Sequence, residues 1–164
     1  MSALLRDGGA PIAPPSLFGS AEARAALHNE AEAYVSRAFT MMRRAEALVA
    51  GERIGSLALL AGNRDRLTAH LGRYQRFKHG QIFDPVVSHG PASSRIVART
   101  MKLDCFQLGE VVTAYHARWR HLRETEWTIY RAEMVETIAM LQRSMEAELR
   151  AIRQLLMIST LYVA

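Results

Sequence analysis

The side chains with chemistry to offer are six histidines, one cysteine and a scatter of carboxylates, and the run HLGRYQRFKHGQIFDP, His70 to Pro85, carries two of those histidines with a tyrosine, two phenylalanines and an Asp-Pro pair. On a helix turning about 100° per residue, His70 and Tyr74 fall some 40° apart and share a face. His79 is nine residues from His70 and lies about half a turn round, so the two cannot grip one ion from a regular helix. His116 and His121, separated by about 140°, fail for the same reason. His28 and Glu32 stand four apart and can co-ligate.

Most metal and nucleophile chemistries find no purchase here. A di-iron bundle site needs Glu-x-x-His, because a three-residue step stacks both ligands over one metal. The residues three before the six histidines are Ala25, Leu67, Arg76, Val86, Thr113 and Arg118, so that motif is absent. His-Glu-x-x-His is absent as well. The lone Cys105 permits no internal disulfide and no CxxC zinc motif. It sits on an apolar stripe, as an inert buried thiol would. The only glycine pair, in RDGGAP, leads into prolines rather than a helix N-terminus, so there is no phosphate loop. Carboxylates fall mainly on polar faces, with Glu110 and Glu148 as exceptions near helix seams. No enzyme activity is expected.

Helices must position whatever remains. From Ser20, which can cap a first turn containing Glu22, Leu27, Ala31, Tyr34, Ala38, Met41, Ala45 and Leu48 recur at three- and four-residue steps until Gly51. A second segment runs from about Ser56 to Phe83, with Leu60, Leu67, Leu71, Tyr74 and Phe77 or Lys78 as its stripe. Pro85 is expected to end it, leaving Lys78 and His79 as cations at a helix C-terminus. Gly90-Pro91 marks a turn. The third segment spans about Ala92 to Leu122, with Val97, Met101, Cys105, Leu108, Val112, Tyr115 and Trp119 on one face. The fourth begins near Trp127, with Thr125 as its cap. It carries Tyr130, Met134, Ile138, Leu141, Met145, Leu149, Ile152 and Leu156. No strand-like alternation appears. The expected fold is all-α, an antiparallel up-down-up-down four-helix bundle over residues 20–164, preceded by a Gly- and Pro-containing lead-in over 1–19.

The order His70-x-x-x-Tyr74, then IFDP, then His89 resembles hemerythrin-like proteins, in which a helix carries His-x-x-x-Glu, a proline follows and further histidines come on the next helix. The resemblance covers residues 20–160 as architecture and only a few positions as motif. It implies that His28, His70 and His116 are remnants of an iron site and that Tyr74 stands where the bridging glutamate would be. Ser93 stands where a histidine four after His89 would be, and the last helix has no histidine. The implied alternative function is therefore a metal- or small-ligand-binding bundle with a degenerate site and iron as its cofactor. It would gather His28, Glu32, His70, Tyr74 and His116. Otherwise no cofactor is expected.

Composition points the same way. The chain has 164 residues, 49% hydrophobic and 23% charged, with a net charge of +5, which suits one globular domain. The basic residues are almost all arginine, but they are spread over every segment and interleaved with glutamate. A nucleic-acid binder would gather them into a patch. No apolar run approaches the roughly 20 residues of a membrane span, and the N-terminal stretch lacks a signal peptide's hydrophobic region. The reading is cytoplasmic, with no membrane or nucleic-acid partner. With eight methionines to furnish an adaptable surface, the expected function is a non-enzymatic interaction or regulatory module docking to a protein partner. The segment LLMISTLYVA, residues 155–164, is apolar and uncharged. A two-fold homodimer burying Leu155, Ile158, Leu161 and Tyr162 is expected from it.

Overall fold

A computed structural model describes residues 17–51 and 54–158. Four long helices make up the bundle: α1 (Ala21–Ala50), α2 (Leu57–Lys78), α4 (Ala92–Arg118) and α5 (Trp127–Ile158). A π turn (His79–Phe83) leads from α2 into the short α3 (Asp84–His89), and 3-10 turns at Ile54–Ser56 and Glu124–Glu126 lead into α2 and α5. No strand occurs among the described residues, and no helix among them is long and apolar enough to cross a membrane.

Local chemistry sets the ends of these helices. Gly19 takes a φ of 81°, a left-handed conformation that costs glycine nothing. Ser20 Oγ then accepts the Ala23 N–H at 3.1 Å, as expected of the cap. Leu17 and Phe18, assigned by sequence to the lead-in, already pack half-buried on the core; the rest of the lead-in, 1–16, lies outside the described residues. Gly51 ends α1 with a right-handed φ of −72°, so the stop does not draw on glycine's left-handed freedom. Trp127 begins α5 as expected; Thr125 lies inside the preceding 3-10 turn, which Arg123 caps, the Glu126 carboxylate reaching back to the Arg123 N–H at 3.0 Å.

Pro85 does not end the second helix. Proline lacks an N–H and its ring crowds the carbonyl four residues earlier. Here that conflict is absorbed by the π turn immediately before it, where the Asp84 N–H reaches back five residues to the His79 carbonyl. Pro85 then falls in the first turn of α3, where a missing donor does no harm. The π turn resets the helical phase, so Ile82, Phe83 and Val86 all reach the core. The path finally breaks at Gly90, where a Cβ would lie 2.5 Å from the Val86 carbonyl oxygen.

The core runs along the bundle axis. Ala31, Val35, Ala38, Met42, Ala45 and Val49 line α1, and Tyr130, Met134, Ile138, Leu141, Met145 and Ile152 line α5. On α4 the buried stripe is Ser94, Ala98, Met101 and Cys105. Val97, assigned by sequence to that stripe, is 43% exposed.

Cross-helix contacts run in consistent order. Asn63 Nδ2 donates to the Met41 carbonyl and His70 Nε2 to that of Tyr34. Lys78 meets Cys105 and Asp65 meets His116; Cys105 meets Glu148 and Arg118 meets Glu133.

A buried Lys78–Glu148–Cys105 cluster as the candidate functional site

Lys78 is the last residue of α2 and is only 5% exposed. It ends the helix, as expected, and its position four after Tyr74, which made it a candidate for the α2 stripe, aims it inward. Lys78 Nζ donates to Glu148 Oε1 at 2.6 Å and lies 3.5 Å from Cys105 Sγ. It also stands 4.1 Å from the centre of the Tyr74 ring, a cation–π distance. The Cys105 thiol donates to Glu148 Oε2 at 2.8 Å. Both carboxylate oxygens thus have a donor, and the ammonium is met by a carboxylate, a sulfur and an aromatic face. Burying such a pair is tolerable only because its members satisfy each other.

Burial pushes the Cys105 thiol up to about 12, the Glu148 charge adding to the shift and Lys78 opposing it. The thiol is therefore held protonated, as a hydrogen-bond donor rather than a nucleophile. Burial, followed by the Glu148 charge, likewise raises the Tyr74 hydroxyl well above the usual phenol range. That hydroxyl is buried beside the Glu148 carboxylate, which it faces without a hydrogen bond of full geometry. One residue beyond Lys78, His79 sits between the rings of Phe83 (5.6 Å) and Phe106 (5.0 Å). Burial lowers its pKa, with Lys102 and Lys78 adding to the effect, and its Nε2 is also unpartnered.

Two clefts end on this cluster. One, of about 460 Å³, lies between α4 and α5, walled by Met101, Leu108 and Met140 with Cys105 and Glu148. The other, of about 200 Å³, lies between α2, α4 and α5, walled by Tyr74, Lys78, Cys105, Leu108 and Met145. Cys105 and Leu108 belong to both and form the partition. The clefts exist because α4 loses its grip past Cys105. Among Phe106–Arg118 no residue is fully buried, and Leu108, Val112 and Tyr115 are half-buried.

The residues suggested by the hemerythrin-like resemblance are not brought together. His70 is 2% exposed and its Nε2 lies 2.8 Å from the Tyr34 carbonyl. Tyr74 is equally buried and stacks on the Tyr34 ring at 5.3 Å. His28, however, lies 3.8 Å from Glu32 and accepts from Arg153 at 3.3 Å, between α1 and α5. His116 pairs with Asp65 at 2.7 Å, near the middle of α2. One reason is angular: Asp65 and His70 are five residues apart on α2, about 140° round the helix, so their partners meet different sides of it. No group of three or more metal-ligating side chains occurs among the described residues.

The C-terminal interface also needs correction at one residue. Leu155 is 2% exposed and Leu156 3% within the single chain, so Leu155 is core rather than docking surface. Met157 is 65% exposed. The side chain of Ile158, and Leu161 and Tyr162, lie outside the described residues.

Sequence reasoning named Glu148 as a seam residue and put Cys105 on an apolar stripe, but it did not join them to Lys78. A signal was present. Met145, Glu148 and Ile152 continue the three- and four-residue steps of the α5 stripe, and Lys78 follows Tyr74 by four. A charged residue of each sign, each in phase with a core stripe, is a candidate buried pair. Glu110, the other carboxylate singled out, is exposed.

Comparison of the chain with protein-family models, with curated proteins and with solved structures gave no match.

Proposed function

We propose that this chain is a non-enzymatic, ligand-responsive regulatory module: an antiparallel up-down-up-down bundle in which α4 is the element that moves. The α2–α4–α5 seam takes up a small, uncharged, mostly apolar molecule bearing one hydrogen-bond acceptor. The carrying observation is that two clefts converge on Cys105 and Leu108 beside a buried Tyr74 hydroxyl whose neighbour Glu148 is already engaged by Lys78 and Cys105, so that the hydroxyl lacks a hydrogen bond of full geometry. An unsatisfied buried donor of this kind calls for an explanation, and a ligand acceptor supplies one. The walls are chiefly apolar and the Lys78 and Glu148 charges cancel, so the seam offers nothing to offset a charged ligand's loss of hydration.

The antiparallel order is supported by paired contacts whose residue numbers run in opposite directions. These are 41 with 63 and 34 with 70 for α1–α2, 105 with 148 and 118 with 133 for α4–α5, and 78 with 105 and 65 with 116 for α2–α4. The non-enzymatic reading is supported by the state of the cluster: the thiol is held protonated, and both carboxylate oxygens are already occupied. General acid–base work needs a group free to exchange its proton near working pH.

Methionine methyl NMR tests the proposal. Cyclohexanone at millimolar concentration should shift Met101, Met140 and Met145, which line the clefts, and leave core Met42 in place. Cyclohexylamine and cyclohexanecarboxylate should not. Leu108→Trp, which fills both clefts, should abolish the response. If none of the three methionines moves with cyclohexanone, the seam is not a ligand site.

A further inference from the structure

A second orphan lies between α1 and α2, away from the seam. His70 Nε2 is 2.8 Å from the Tyr34 carbonyl oxygen. A carbonyl only accepts, so Nε2 carries the proton and Nδ1 is left with a lone pair. That Nδ1 is buried and makes no hydrogen bond. The ring, 2% exposed, forms part of the wall of a cleft of about 530 Å³ that also presents Arg37, Arg73, Glu30 and Tyr34. Arg37 stands three residues after Tyr34 on α1 and Arg73 three after His70 on α2, so both guanidiniums lie about one turn from the imidazole and its carbonyl partner. Both arginines are exposed, and neither forms an ion pair with a described residue.

We propose that this cleft binds a phosphomonoester in its singly protonated form. The two arginines supply forked donors for phosphate oxygens. The ligand's P–OH donates to His70 Nδ1, meeting the lone pair that the protein leaves unmet. Glu30 on the same wall sets the charge count: two guanidiniums and one carboxylate leave a single positive charge, which matches a monoanion better than a dianion. Both requirements separate this ligand from sulfate, which has the shape but is a dianion at pH 6 and has no hydrogen to give. The site does not depend on the seam, and either can fail alone.

The test is a titration of the full chain at pH 6 with phenyl phosphate, followed through the His70 ring nitrogens by long-range proton–nitrogen NMR. Saturable movement of the Nδ1 resonance is expected. Binding should weaken at least tenfold in Arg37→Gln and in Arg73→Gln, and sulfate should bind at least tenfold more weakly than phenyl phosphate. A silent His70 Nδ1, binding indifferent to both arginine substitutions, or sulfate binding as tightly as phenyl phosphate would each overturn the assignment. Phosphatidylcholine vesicles carrying phosphatidic acid then identify the source. Co-sedimentation lost in Arg73→Gln assigns the phosphate to a lipid headgroup, and its absence assigns it to a soluble molecule. Both results presuppose the phenyl phosphate response, without which the proposal fails.

Discussion

The two sides of this bundle are built to different standards. Along α1 the buried residues Ala31, Val35, Ala38, Met42, Ala45 and Val49 follow an unbroken alternation of four- and three-residue steps. Three alanines among six positions keep the stripe thin, so neighbouring helices can approach closely. Along α4 the same alternation holds for Ser94, Ala98, Met101 and Cys105, then continues through Leu108 and Val112 without achieving burial. Meanwhile Ile96, Leu103, Phe106 and Val111 on α4 are exposed. The contrast teaches that equal hydrophobic periodicity does not guarantee equal packing. A helix with apolar residues on opposite faces cannot bury both in one chain, and its attachment is correspondingly weak on the inner face. The packed side supplies stability; the slack side keeps the two seam clefts and the polar cluster.

The strongest way to break this comparison is to unbalance the cluster. Lys78→Ala leaves the Glu148 carboxylate in the seam with only a thiol for company, and should cost about 3–5 kcal/mol, the penalty for an uncompensated buried charge. Pairing Lys78→Met with Glu148→Leu should recover most of that loss, because two apolar side chains remove the desolvation cost along with the attraction. Urea denaturation of the single and double variants measures both. A double variant as unstable as the single would mean that the cluster holds the seam together rather than being held by it.

A smaller effect should separate the two sides directly. Met42→Ala, at a fully buried site on α1, should cost about 2–5 kcal/mol, since the dense surroundings cannot collapse into the void. Leu108→Ala, at the partition between two existing clefts, should cost less than about 1.5 kcal/mol, because little close contact is lost there. Equal costs would erase the distinction between the sides.

Smaller still is a dependence on alkaline pH that belongs to the slack side. In the folded chain the Cys105 thiol is raised from its ordinary 9.0 to about 12, and Tyr74 and Tyr115 are also raised, burial being the first cause for each. A group whose folded pKa lies above its unfolded one keeps its contribution below the unfolded value. That contribution is lost as pH climbs toward the folded value, because the unfolded chain gives up its proton first. Stability should therefore decline from about pH 9 upward, and Cys105→Ala should flatten the early part of the decline. Thermal melts from pH 8 to pH 11 decide it, and identical profiles for the two proteins would remove Cys105 from the account.

Local chemistry written in the chain determined a good part of this protein. The 3.6-residue periodicity of the stripes, the Ser20 cap, the start at Trp127 and the break at Gly90 depend on neighbours within a few positions, and all were legible from sequence. So were Cys105 on an apolar stripe and the absence of the Glu-x-x-His spacing. Tertiary structure decided the rest. The continuation of the second helix through Pro85 required a π turn whose phase shift is repaid by burying Ile82, Phe83 and Val86 against other helices, which no local rule foresees. The burial of Lys78 against Glu148 at the end of α2 followed from that same segment's docking. Bringing together residues 78, 105 and 148, while keeping His28 and His116 apart from His70, depended on the vertical register between helices. Register arises from the fit of many side chains at once. The periodicity of one helix tells which face turns inward, but not which residue of the next helix it will meet there.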